Sequence, residues 1–199
     1  MTSRPAPTRD ALLDAALELL DQGGRAAVTL REVGRRAGVS HNAPYKHFAN
    51  KEALLAAVAA RELRRRGARM SEAVAQAKSP EEALAVALRE QVTAAVAHPE
   101  RARLIYGRWT TATATDELVD AAHAASELTI ETVRAAQARG ALPPGDPDHL
   151  AAMLRAMSRG AAELEAAGHL APDGKGRSDA AGLIDSLLGY LDPRRTRPA

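Results

Sequence analysis

The sequence predicts an all-α protein, and three observations carry the prediction. No segment alternates apolar and polar residues as a half-buried strand would. Apolar residues recur at intervals of three and four along nearly the whole chain, and helix start and stop signals fall at the ends of those periodic stretches. With 199 residues and 46% hydrophobic composition, a sizeable core needs no covalent staples. The absence of cysteine removes disulfides, thiolate metal sites and cysteine nucleophiles, and fits a reducing cytoplasm. The opening MTSRPAPTRD lacks the apolar stretch of a signal peptide and no run of 18 apolar residues exists, so the expectation is a cytoplasmic protein without a membrane partner.

About nine helices are predicted. Leu12, Leu13, Ala16, Leu17, Leu19 and Leu20 make one face of the first. TLRE at 29–32 has capping-box spacing, and Leu30, Val33 and Ala37 follow as the face of a short second helix. A third covers 41–48. Asn50 is a natural N-cap for a long fourth, carrying Leu54, Leu55, Val58 and Leu63 and reaching about residue 76. SPEE at 79–82 is a second capping box, with proline where its missing donor costs nothing; it opens a fifth helix with Leu84, Leu88, Val92 and Val96. Leu104, Ile105 and Trp109 mark the sixth, and Leu118, Ala122, Ala125 and Val133 the seventh. Asp146 and Pro147 start an eighth with Leu150, Met153, Leu154, Met157, Ala161 and Leu164. Leu183, Ile184, Leu187, Leu188 and Leu191 form the ninth. GALPPG at 140–145 and APDGKG at 171–176 are breakers, while 1–7 and 193–199 read as a disordered arm and tail.

Charge is unevenly spread. The net is only +2, yet residues 29–69 hold ten Lys/Arg against three Glu, a local +7 that leaves −5 for the rest. A concentrated basic field suits a polyanion, although a solvated basic helix face would look the same.

Inside that field, REVGRRAGVSHNAPYKHFANKEALL at 31–55 holds two of the five aromatic residues, with two histidines and two lysines. Gly38 ends the second helix as a left-handed C′ glycine commonly does, Val39 can plug the gap to the next helix, and Ser40 suits its N-cap. Gly34 costs about 1 kcal/mol relative to alanine inside a helix, a cost explained if the following helix crosses closely over it. The order is that of a helix-turn-helix. Its second helix would bring His41, Asn42 and Ala43 to base edges, where asparagine pairs with adenine, histidine meets an acceptor and alanine touches a thymine methyl. Phe48 falls on the inner side as core. Tyr45, Lys46 and His47 are at phosphate reach. Lys51, a cation at a positive helix end, is mildly unfavourable unless an anion completes the site. Pro44 deletes one backbone bond of this short helix.

This segment resembles the DNA-binding domain of the TetR family of transcriptional regulators. The resemblance lies in TLREVGRRAGVS at 29–40, APYKHF at 43–48 and NKEALL at 50–55. It implies an N-terminal three-helix domain with a helix-turn-helix at 8–56 and a larger helical effector-binding and dimerisation domain at 57–192. It also implies a homodimer joined through the eighth and ninth helices, a palindromic double-stranded DNA operator, and a small organic effector whose binding spreads the reading heads, as in a repressor. DNA contacts would fall on Thr29, Arg31, Ser40, His41, Asn42, Ala43, Tyr45, Lys46, His47 and Lys51. Arg4 and Arg9 are candidates for the minor groove, competing with plain tail charge. One branch of the family carries Trp, His and Gly in the eighth helix; here only Gly160 matches, Arg155 and Arg159 standing in place of the other two.

Arg103, Tyr106 and Trp109 on the sixth helix and Met153 and Met157 on the eighth are the candidate effector pocket, with plain core filling as the alternative, since methionine commonly fills gaps. Arg159 and Glu163 are spaced for an exposed i, i+4 pair. No cofactor or metal is expected, since His98, His123, His149 and His169 are scattered singly. An enzyme would need a motif that is missing: there is no H-E-x-x-H, Walker A or G-x-S-x-G pattern. A helical protein-interaction module would explain the amphipathic helices but not the phosphate-facing set.

Overall fold

A computed structural model describes residues 9–174 and 176–194. Eight α-helices follow one another: α1 (Arg9–Ala27), α2 (Leu30–Arg36), α3 (Lys51–Gln76), α4 (Pro80–Ala97), α5 (Pro99–Ile105), α6 (Asp116–Ala138), α7 (Pro147–Ala166) and α8 (Ala180–Leu191). Among the described residues there is no strand, only one isolated bridge between Ala171 and Ser178.

The helix predicted at 41–48 is a correction. It is a 3-10 turn over Pro44–Lys46, so the described residues hold eight α-helices and one 3-10 turn. Pro44 has no N–H to give the Ser40 carbonyl, and Ala43 N takes that acceptor at 3.0 Å instead. Lys46 N then bonds Ala43 O (3.2 Å) and His47 N bonds Pro44 O (3.0 Å), all with the shorter 3-10 spacing. The predicted fourth to ninth helices are therefore α3 to α8, except that the sixth is shorter than predicted: α5 ends at Ile105, and Tyr106 and Trp109 lie in the segment that follows it.

The predicted start signals act, with one variation. Thr29 Oγ1 accepts from Glu32 N (3.1 Å), Asn50 Oδ1 from Ala53 N (2.9 Å), Ser79 Oγ from Glu82 N (3.2 Å) and Asp146 Oδ1 from Asp148 N (2.9 Å). The return arms of the two boxes go elsewhere: Glu32 takes Arg35, and Glu82 takes the Lys78 N–H at 2.8 Å. Ser40, the predicted N-cap of the third helix, is a correction: the turn starts from Ala43 with no side-chain cap bond, and Ser40 accepts from Ala43 N through its backbone carbonyl alone.

The chain forms two compact units. The first joins α1, α2, the 3-10 turn and α3 as far as Leu63 with residues 100–122; the second joins residues 64–99 with those from His123 onward. Thus α3 and α6 each contribute to both. In the first unit Leu12, Leu13, Leu20, Val28, Val33, Leu54, Leu55 and Val58 are buried. In the second, α4, α7 and α8 pack on one another around Leu84, Leu88, Val92, Val133, Leu142, Leu154 and Ile184.

Candidate nucleic-acid interface

The interface is built on the end of α2. Ala37 caps the helix, Gly38 turns left-handed at φ 69°, and the two bonds of a Schellman motif close it: Gly38 N to Arg35 O (3.1 Å) and Val39 N to Gly34 O (2.9 Å). This throws residues 39–48 back across α2. The crossing is close where Gly34 predicted it: a Cβ on Gly34 would sit 3.1 Å from Cγ of the buried Pro44. Proline therefore has two effects, shortening the helix and supplying the ring that rests on α2. Spacing alone did not reveal the second, although a helix-interior glycine ten residues before a proline was its available signal.

Phe48 anchors the far end. It is 4% exposed, and its N–H bonds Pro44 O at 2.9 Å. Between the buried Pro44 and Phe48, and just before them, the side chains turn outward. His41, Asn42, Tyr45, Lys46 and His47 are exposed, as are Ser40, Arg31 and Thr29, while Ala43 is half-buried. Ser40, His41, Asn42, Tyr45, Lys46 and His47 thus form an outward edge rich in donors, broken at the half-buried Ala43 and the buried Pro44.

Electrostatics of the neighbouring α2 favour an anion. Arg35 Nε bonds Glu32 at 2.9 Å, and this hydrogen bond holds the Glu32 carboxyl below its usual range and raises Arg35. The one acidic residue of α2 is thereby neutralised by a partner. Arg36 ties α2 to α1 through Glu18 (3.1 Å) and Gln22 (2.9 Å). Arg31 has neither role and stays exposed.

Two candidates have structural partners that the sequence did not disclose. Lys51 Nζ donates to the Arg25 carbonyl at 2.5 Å, joining the start of α3 to the end of α1, and is half-buried. An ammonium has three donors, so this bond leaves capacity for a phosphate. Arg9 pairs with Glu117 at 2.6 Å and lies 5.8 Å over the Phe48 ring. Arg4 lies outside the described residues, as do 1–7 of the predicted arm and most of the predicted tail.

The candidate effector residues are divided between the units. In the first, Arg103 pairs with Glu100, Tyr106 is half-buried, and Trp109 donates to Leu104 O (3.2 Å) beneath Arg25 at 5.5 Å. In the second, Met153 and Met157 are 47% and 53% exposed, so neither fills the core of its unit. Leu164 (47%) shares their stripe of α7, and Tyr190 of α8 is 81% exposed. Arg155 bonds Ser126, and the predicted Arg159–Glu163 pair forms at 3.0 Å. Two cavities of the second unit are lined by other residues. One, about 300 Å³, has Leu84, Leu142 and Leu188 with Arg89, Asp185 and Arg194; the other, about 370 Å³, has Val74, Pro80, Leu128 and Thr132.

Comparison with known proteins accords with this geometry. Residues 12–58 match the model of bacterial regulatory proteins of the tetR family, and residues 82–189 match that of the tetracyclin repressor-like C-terminal domain. A structure from Rhodococcus sp. RHA1, of a protein of unknown function, is 32% identical with a TM-score of 0.81, covering 95% of this chain and 97% of that one. FadR of Bacillus subtilis, a transcriptional regulator solved with stearoyl-CoA, shares the fold at 16% identity, with a TM-score of 0.74 over 94% and 98% of the two chains. An uncharacterized HTH-type transcriptional regulator of Mycobacterium tuberculosis is 35% identical over 79 residues, 40% of this chain, and the match spans only 39% of that relative's length. With family models matching both its N-terminal helix-turn-helix and more than half its length beyond, the chain belongs to the TetR family of bacterial regulatory proteins.

Proposed function

We propose that this protein is a transcriptional regulator, a repressor that binds a palindromic DNA operator as a homodimer and is released by a small organic effector. The observation that carries the reading is the outward edge at 40–47, fixed from behind by Pro44 and Phe48. A short rod closed by 3-10 bonds is narrow enough for the major groove, and its first residues, His41, Asn42 and Ala43, meet base edges. Thr29, Arg31, Tyr45, Lys46, His47 and Lys51 meet phosphates, with Ser40 at the hinge between the two sets.

Dimerisation through α7 and α8 is supported by the apolar stripe of Met153, Met157 and Leu164 and by exposed Tyr190. Gly160 lies on the same stripe, and a Cβ there would meet nothing within 4 Å. Nothing among the described residues calls for a glycine that costs about 1 kcal/mol in a helix interior. A partner helix approaching closely would.

The effector is assigned to the second unit, whose cavities of about 300 and 370 Å³ suit a small organic molecule. The methionines belong to the dimer seam in this reading, and Arg103, Tyr106 and Trp109 remain the candidates from the first unit.

Selection from randomised duplexes, followed by titration across a salt series, tests the proposal. A two-fold symmetric site should emerge, with log K falling linearly against log salt by about 0.9 per phosphate neutralised. Absence of any selected sequence, or an affinity indifferent to salt, would refute it.

A further inference from the structure

The resemblance offers Arg9 to the DNA minor groove, but its guanidinium is engaged within its own unit. It meets the Glu117 carboxylate at 2.6 Å and stands 5.8 Å from the centroid of the Phe48 ring. These contacts join residues 108 positions apart to the back of the DNA-facing edge. Phe48 is buried, its backbone N–H bonds Pro44 O, and Pro44 stands close against Gly34, so the residue that carries the ring is tied directly to the 3-10 turn. Glu117 itself lies in the first turn of α6, where the helix dipole favours a carboxylate.

We propose that Arg9 and Glu117 are positioning residues for operator reading. Glu117 holds the Arg9 guanidinium over the Phe48 ring, and the ring so held sets the pitch of residues 40–47. The inference rests on the DNA-binding reading above. Arg9 and Glu117 side chains are 41% and 33% exposed, so the pair adds little to stability and the fold survives its loss. Its effect is orientational: a donor set displaced by a fraction of an ångström keeps its charge but loses its alignment to base edges.

The test uses the full chain and the selected duplex. Affinity is measured over a salt series for wild type, Arg9→Gln, Glu117→Gln and the double variant, with thermal midpoints alongside. Each single variant should weaken operator binding about threefold to tenfold, and the double variant should be no weaker than either single one. The salt slope should stay at the wild-type value for Glu117→Gln and for Arg9→Gln, with the midpoints almost unmoved.

A direct DNA contact by Arg9 behaves otherwise. Arg9→Gln would then lower the slope by about 0.9, and Glu117→Gln, which removes a negative charge, would leave binding unchanged or tighten it. That pattern, additive losses in the double variant, or a fall in midpoint with no change in affinity would each overturn the proposal. A wild-type protein that selects no duplex would instead refute the DNA-binding reading, and this inference with it.

Discussion

Gly34 shows how finely single atoms set the interface. A methyl there would stand 3.1 Å from Pro44 Cγ and 3.4 Å from Cδ. Alanine gains about 1 kcal/mol of helix propensity over glycine, but the pyrrolidine ring is stiff and must shift by a few tenths of an ångström to admit it. Gly34→Ala should therefore leave the thermal midpoint within about 2 °C of wild type while weakening operator binding severalfold. A midpoint raised by the whole propensity gain, with operator affinity unchanged, would mean that the crossing has slack. Lys51 and Asn42 divide differently. Lys51→Ala removes a bond to Arg25 O as well as a charge, so it should cost about 1 kcal/mol of stability and weaken binding to every sequence alike. Asn42→Ala should leave stability alone and relax preference at one base pair by about 1–3 kcal/mol. Equal losses over all base substitutions for both variants, in competition titrations, would overturn that division.

At the level of elements, the start of α4 carries a titration of its own. Glu81 lies in the first turn of α4, where its own backbone N–H, then Arg194 and Ser79, hold its carboxyl down to about 2 from 4.5. Because the folded value is depressed, the stabilisation is complete above about 4.5 and is lost as pH falls from there toward about 2. The midpoint difference between wild type and Glu81→Gln should accordingly be constant at neutral pH and shrink through that acid window; a difference that stayed undiminished down to pH 2 would remove Glu81 from the account. Such starts were legible in sequence because a cap is local: TLRE, SPEE and Asp146 with Pro147 declare themselves within four residues. The third helix is shorter than its sequence predicts for an equally local reason, the weight of one proline inside eight residues. The outward edge could be read because Gly38, Pro44 and Phe48 punctuate it. Long-range choices could not. Nothing near residue 9 announces Glu117, nor does anything near Arg101 announce its fork onto Asp21 and its reach to Glu62 at 3.2 Å. The methionines of α7 were also illegible, since helical spacing gives a face but not whether that face meets core or solvent.

For the whole molecule, the decisive quantity in the proposed function is the oligomeric state, because a two-fold operator half-read by one protomer would lose the second set of contacts and with them most of its affinity. The exposed stripe of α7 makes this testable at Gly160. Its Cβ position is open within the chain, so a larger side chain leaves the protomer fold intact and even favours the helix by up to about 1 kcal/mol. In a dimer seam the same side chain meets the partner helix, where overpacking costs about 1–3 kcal/mol on each of two symmetric contacts. Gly160→Leu should thus give a well-folded protein with normal helix content whose sedimentation moves from dimer to monomer. Its operator titration should become concentration-dependent and shift to weaker binding, while Met153→Glu does the same by placing an unpaired charge in the seam. If Gly160→Leu stays dimeric at low micromolar concentration and still binds the operator as wild type does, the stripe of α7 is not where the two protomers meet.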